Sequence, residues 1–304
     1  MESSLKCIAE NCEFPKNKNS KIGGGTHCCG FCRANKGHGK YCTQFVKNAV
    51  RVNKNSLIQT MRDRRISFIH IGKAGGSSIC DMFGRIKNYH LRKKYHDAEK
   101  YIIWIRNPLN RYVSSFNHSL CIVNADISSI PKIDLNHCIA PAAIRRLQRA
   151  GFAFSPDYDA LVKKFQSANE LAEALYSENM ELRANARNLM NRQEEHLYKG
   201  IGWYLNNGDL LKQSNDRIFF VGRVENMNED IQALAKKLDV ELFYNGKKAR
   251  ENLYVDKTKK YLSPLAINNI IAWLKDTDYA AIEQLYKYNW IDESTYKSYF
   301  EYVQ

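Results

Sequence analysis

Hydrophobic positions along this chain change rhythm at Arg65. Over residues 1–50 the apolar residues are scattered among Gly, Lys and Asn without a sustained period. From Arg65 onward, short apolar runs alternate with stretches of helical spacing. Runs 66–71, 101–105 and 217–222 are β-branched or aromatic and end in Gly or Arg-Asn-Pro, which predicts strands. Apolar positions three and four apart predict helices over 76–86, 108–120, 156–166, 168–191, 228–238, 264–275 and 278–288. Ser167 and Glu170 form a capping box for the helix from 168, and Asn107 can cap the helix whose first turn Pro108 suits. "RIKNYH" fits a further short strand ending at His90. Strands alternating with helices predict an α/β fold, a mostly parallel sheet flanked by helices. Two domains are expected: a small N-terminal module over 1–50 and the α/β domain over 66–304.

Composition narrows the class. Of 304 residues, 44% are hydrophobic and 12% aromatic, enough for a packed core and against disorder. No run approaches the ~18 apolar residues of a membrane span. The polar stretch from Met1 to Cys12 lacks the apolar core of a signal peptide, so the expected compartment is cytoplasmic. The net charge is +14, and residues 1–65 hold thirteen Lys/Arg against four Asp/Glu. Such a surplus suits contact with a polyanion, a solvated basic surface being the plainer alternative.

Six of nine cysteines, Cys7, Cys12, Cys28, Cys29, Cys32 and Cys42, fall in the first 42 residues beside His27 and His38. A segment with so little apolar periodicity needs a covalent or metallic staple, and without a secretory signal zinc is the expectation. Cys29-x2-Cys32-x5-His38-x3-Cys42 offers a tetrahedral Cys3His set, one residue out of register with a nucleic-acid zinc knuckle. Cys7, Cys12, His27 and Cys28 offer a second set or exchange with the first. Cys80, Cys121 and Cys138 read as ordinary thiols. Phe31 and Tyr41 among basic residues carry the rival reading, a nucleic-acid-binding zinc-knuckle protein with a nucleotide-binding domain.

The α/β part holds the sharper signal. In "SFIHIGKAGGSSICDMF", residues 67–83, a strand meets a glycine turn and a helix start. Gly75 and Gly76 allow close backbone approach, free N–H groups suit an anion, and Ser77, Ser78 and Lys73 add donors and charge. The lysine precedes the glycines, whereas a Walker loop places it after them beside a Ser or Thr. No such Gly-Lys-Ser/Thr with a magnesium-binding aspartate is seen, which disfavours a nucleotide kinase. "YIIWIRNPLNRYVSSFNHSL", residues 101–120, repeats strand, turn and helix. Arg106 stands at the strand's carboxyl end, with Ser114 two helical turns beyond. A guanidinium and a hydroxyl make a directional phosphate site, unless Arg106 merely pairs with a carboxylate.

Together these stretches resemble the PAPS-dependent sulfotransferases, in particular the carbohydrate branch of the heparan sulfate 2-O-sulfotransferase kind. That family's first loop reads roughly I-P-K-T-G-G-T-S, against Ile71-Gly72-Lys73-Ala74-Gly75-Gly76-Ser77-Ser78 here. Its second motif, R-D-P-x-x-R-x-x-S-x-F, is matched by Arg106, Pro108, Arg111, Ser114 and Phe116, with Asn107 for the aspartate. "IFFVGRVENMNEDIQAL", residues 218–234, is similar to its late strand and helix, and the likeness spans roughly 66–290. The resemblance implies transfer of a sulfuryl group from PAPS, without a metal, to a hydroxyl, expected to be on a glycan. Lys73, Gly75, Gly76, Ser77 and Ser78 would hold the 5′-phosphosulfate, Lys73 at the bond that breaks. Arg106 and Ser114 would hold the 3′-phosphate.

The resemblance also implies a base between the two motifs, where His90 and His96 lie. Ligands bind at the carboxyl ends of strands in open α/β sheets, which favours His90 over His96. Asp97 and Glu99 are carboxylate alternatives, and His118 reads rather as a helix-face residue. Trp203 and Tyr204, after His196, fit an acceptor-sugar site or core packing equally well. Arg223 and Glu225 fit ligand contact or an internal ion pair.

Overall fold

The computed structural model describes residues 60–61, 63–76, 78–79, 88–89, 100–124, 150–240 and 260–302. The 1–50 module with its eight zinc-ligand candidates lies outside these, as do Ser77, His90 and His96.

Strand β1 (Ile66–Ile69) pairs in parallel with β2 (Asn88–Tyr89) on one side and β3 (Lys100–Ile105) on the other. Strand β4 (Ile218–Arg223) pairs in parallel with β3, so the order is β2-β1-β3-β4. Side chains of a strand alternate between faces. Tyr101, Ile103 and Ile105 of β3 accordingly join one core, while Ile102 and Trp104 join another. Residues 101–105 are fully covered, as a parallel strand with helices on both faces requires.

Helix α1 (Pro108–Val123) starts at the carboxyl end of β3, and Asn107 caps it by accepting from the Leu109 and Asn110 N–H groups. Helices α2 (Pro156–Lys163), α3 (Ala168–Ala174) and α4 (Met180–Asn191) follow, capped by Ser155, Ser167 and Asn179. The single helix expected over 168–191 is thus two. Asn179 offers a second capping side chain, accepting from the Leu182 N–H, and a capping residue competes with helix continuation. Helix α5 (Ile201–Leu205) turns through Asn206, Asn207 and Gly208, all with positive φ, into α6 (Asp209–Ser214). Helix α7 (Met227–Leu238) covers the face of the sheet made by Phe68, Ile102 and Trp104. Helix α8 (Pro264–Leu274) runs through a π turn into α9 (Ala280–Lys287), and α10 (Glu293–Ser298) follows.

Helices α5, α6 and α9 cover the opposite face of the sheet. A third core joins α1 to α2, α3, α4 and α8. The strand ends at 69, 105 and 223 therefore lie along one edge, held from both faces by packed helices. Among the described residues no helix is long and apolar enough to cross a membrane.

Candidate functional site

The loop after β1 is set by two left-handed residues, Lys73 (φ 65°) and Gly75 (φ 73°). Glycine adopts this region freely, whereas for lysine it is a strained choice of the kind that clusters at functional sites. Ala74 between them is fully buried and anchors the turn in the core. A helical turn opens at Gly76, beneath the His70 ring, and includes Ser78.

Gly72 has a steric reason. A β-carbon there would overlap the imidazole of His196, which packs directly on the loop. The His196 ring also meets that of His118, with centroids 5.7 Å apart. His196 is fixed from behind, because its carbonyl accepts from Arg111 Nη1 at 2.9 Å. Arg111 is buried and forms an ion pair with Asp278 through Nε at 3.2 Å, while Asp278 accepts from the Gly202 N–H at 2.9 Å. Arg111 is therefore an internal strut. Tyr204 is buried and meets the Gly72 backbone, while Trp203 is half-buried against the Lys199 ammonium.

Arg106 is brought to the same loop. Its Nη1 donates to the Lys73 carbonyl at 3.4 Å, so the two motifs meet at the neighbouring ends of β1 and β3. Among the described residues no carboxylate lies within 4.0 Å of this guanidinium, in contrast to Arg111 and Arg223. Burial pushes the Arg106 pKa below the ordinary arginine range, with Glu225 and then Tyr302 opposing the shift. Arginine remains charged at all working pH values, so the shift marks a partly desolvated positive charge. Ser114 lies on α1's less-buried stripe with Asn110 and His118, and its hydroxyl has no partner among the described residues.

Other candidates resolve differently. Arg223 donates to Asp230 from Nε at 3.0 Å and from Nη2 at 2.9 Å, and to Thr295 at 2.9 Å. That hydrogen bonding to Asp230 holds its pKa above the usual arginine range. Of the two roles expected for it, the ion pair is the one present. Glu225 accepts from the Asn107 N–H at 2.9 Å and from the Tyr299 hydroxyl at 3.1 Å, tying β3, β4 and the 298–302 segment together.

Asn107 is legible in the sequence as a helix cap and as a departure from a motif, and the structure adds a further role. Its Nδ2 donates to the carbonyls of Ser298 (3.1 Å) and Glu301 (2.8 Å), which a carboxylate has no hydrogen to do. Nothing in the local pattern announces this, because the acceptors lie more than 190 residues away in sequence.

What the geometry assembles is a meeting of Lys73, Gly75, Gly76 and Arg106 at the carboxyl edge of a parallel sheet, the usual ligand position in open α/β folds. A family model described as Sulfotransferase family matches residues 56–299. No curated protein and no solved structure matches the chain.

Proposed function

Since the chain belongs to the sulfotransferase family, we propose that it transfers the sulfuryl group of PAPS to a hydroxyl of a carbohydrate acceptor. The observation that carries the reading is Arg106: a half-buried guanidinium with no carboxylate within 4.0 Å among the described residues, hydrogen-bonded to the loop that holds Lys73. A buried charge lacking its partner is costly and is retained where a ligand supplies the counter-charge. The Ser114 hydroxyl, unpartnered among the described residues, and the tight turn at Gly75 and Gly76 fit the same anionic nucleotide.

In this mechanism Arg106 and Ser114 bind the 3′-phosphate and fix the donor's register. Gly75, Gly76, Ser77 and Ser78 receive the 5′-phosphosulfate, and Lys73 meets the oxygen bridging phosphorus and sulfur. The donor supplies an activated sulfuryl group whose departing phosphate gathers negative charge. Lys73 stabilises that charge as the sulfur–oxygen bond breaks, the form of electrostatic assistance that acts only as charge develops. The acceptor oxygen attacks sulfur from the opposite side and gives its proton to a base. His90 follows β2 directly in sequence, and β2 ends at Tyr89 beside β1, which supports His90 ahead of His96 as that base. A positioned base contributes about 10²–10⁴-fold.

The test is binding of PAP, the spent donor, to the full chain. PAP is expected to raise the melting temperature without magnesium, and labelled PAPS to transfer its sulfur to a glycan hydroxyl. Stabilisation by ATP-magnesium or oligonucleotides but not by PAP would overturn the reading.

A further inference from the structure

The side chain of Asn107 serves two elements at once. Its Oδ1 caps α1, while its Nδ2 holds the carbonyls of Ser298 and Glu301. The backbone N–H of the same residue donates to Glu225, whose other oxygen accepts from Tyr299. Further along, Tyr279 donates to the Tyr299 carbonyl at 3.1 Å, Phe300 stacks on Tyr279 at 4.7 Å, and Tyr302 donates to the Lys260 carbonyl. The segment 298–302 is thus seated against the residue next to Arg106, and the end of β3 cannot lose it without breaking several contacts together.

We infer that segment 298–302 forms a wall of the donor's 3′-phosphate site and that Asn107 is the positioning residue that seats it. The inference rests on the donor reading above and goes beyond it, because none of these residues was assigned a part in donor binding. Its physical basis is dielectric. A guanidinium walled off from water attracts a phosphate more strongly than a hydrated one does, since the interaction scales inversely with the effective dielectric constant. The Arg106 guanidinium pulls the Tyr302 phenol pKa down against the burial that raises it, which places the segment within electrostatic range of the guanidinium. With the segment released, water reaches Arg106 and the phosphate loses part of its advantage. Linkage then demands the reverse effect: a bound phosphate holds the segment down.

Asn107→Asp separates this role from capping. Aspartate caps a helix as well as asparagine does, and its charge suits a helix N-terminus, so α1 is retained. It has no hydrogens for Ser298 and Glu301, and it sets a carboxylate against two carbonyl oxygens. Aspartate is also the residue of the family motif, so simple motif matching expects a neutral or beneficial change. The expectation here is opposite: a rise in the PAP dissociation constant of about tenfold, equivalent to ~1.4 kcal/mol. The donor KM rises in parallel while kcat at saturating donor is unchanged, a split that a loss of folded protein does not produce. Tyr302→Phe, which leaves α1 untouched, shifts donor affinity in the same direction by less. In the wild-type full chain, PAP slows hydrogen exchange at the amides of 298–302.

The outcomes separate cleanly. A wild-type protein that does not bind PAP overturns the donor reading and this inference with it. Wild-type binding with equal affinity in Asn107→Asp, or no change in exchange at 298–302 on adding PAP, overturns the inference alone.

Discussion

Replacing Arg106 by methionine sets ligand binding against stability. In the unliganded protein the guanidinium is half-buried, donates one 3.4 Å bond to the Lys73 carbonyl, and has no carboxylate within 4.0 Å among the described residues. Methionine keeps comparable length and removes the desolvated charge, so the unliganded melting temperature should stay level or rise. Ligand binding should collapse. A charge-assisted hydrogen bond contributes ~1.5–3 kcal/mol, and losing about 2.7 kcal/mol weakens PAP about 100-fold. At PAP equal to about 100 times its wild-type dissociation constant, wild type gains ~2.7 kcal/mol and the variant only ~0.4 kcal/mol. With ~2–4 °C per kcal/mol for a chain of this size, that is about 5–11 °C against about 1–2 °C. Differential scanning fluorimetry with and without PAP measures both quantities. A variant that melts several degrees lower without PAP, yet keeps the full PAP shift, would show Arg106 to be a strut like Arg111 and refute the reasoning.

Three further outcomes are expected. Lys73→Gly removes the ammonium and relieves a left-handed lysine, so the fold should gain ~1 kcal/mol in chemical denaturation while sulfuryl transfer is lost. Gly72→Ala should cost ~1–3 kcal/mol through overlap with His196, and pairing it with His196→Ala should recover most of that loss in a double-mutant cycle. His90→Ala should lower kcat about 10²–10⁴-fold with PAP affinity intact, and a harmless His90→Ala beside an inactive His96→Ala would reassign the base.

Legibility from the sequence followed the range of the interaction. β3 was readable because burial on both faces leaves its mark in five consecutive apolar residues, Tyr101 to Ile105. Helix starts at Pro108, Ala168 and Pro264 were readable because cap and first turn adjoin. The break before Asn179 was missed because an apolar period runs through it, although Asn179 itself carries the signal. Helices α5, α6 and α10 are short and drew no expectation, their boundaries being set by turns and tertiary contacts rather than by period. Within the site, Lys73 and Arg106 were found from motifs and their meeting is a consequence of strand order. Arg223 was ambiguous because a strand-end arginine reads alike whether it faces a ligand or Asp230. Gly72 and Asn107, which depart from the family motifs, are explained by His196 and by the carbonyls of Ser298 and Glu301. Neither partner is local, so no window of the sequence holds both halves of either explanation.

The bond from Asn107 to the Glu301 carbonyl joins residues 194 positions apart. During synthesis at ~5–20 residues per second, Asn107 therefore waits about 10–40 s for that partner to emerge. β3 waits likewise for β4, because parallel neighbours with a long crossover cannot pair early. A nascent chain can close the turn at Gly75 and begin α1 long before Arg106 is walled in. On the donor reading proposed above, competence to capture the nucleotide would be acquired late, and a product interrupted before residue 298 would hold the Lys73 and Arg106 motifs without the segment that Asn107 seats beside them.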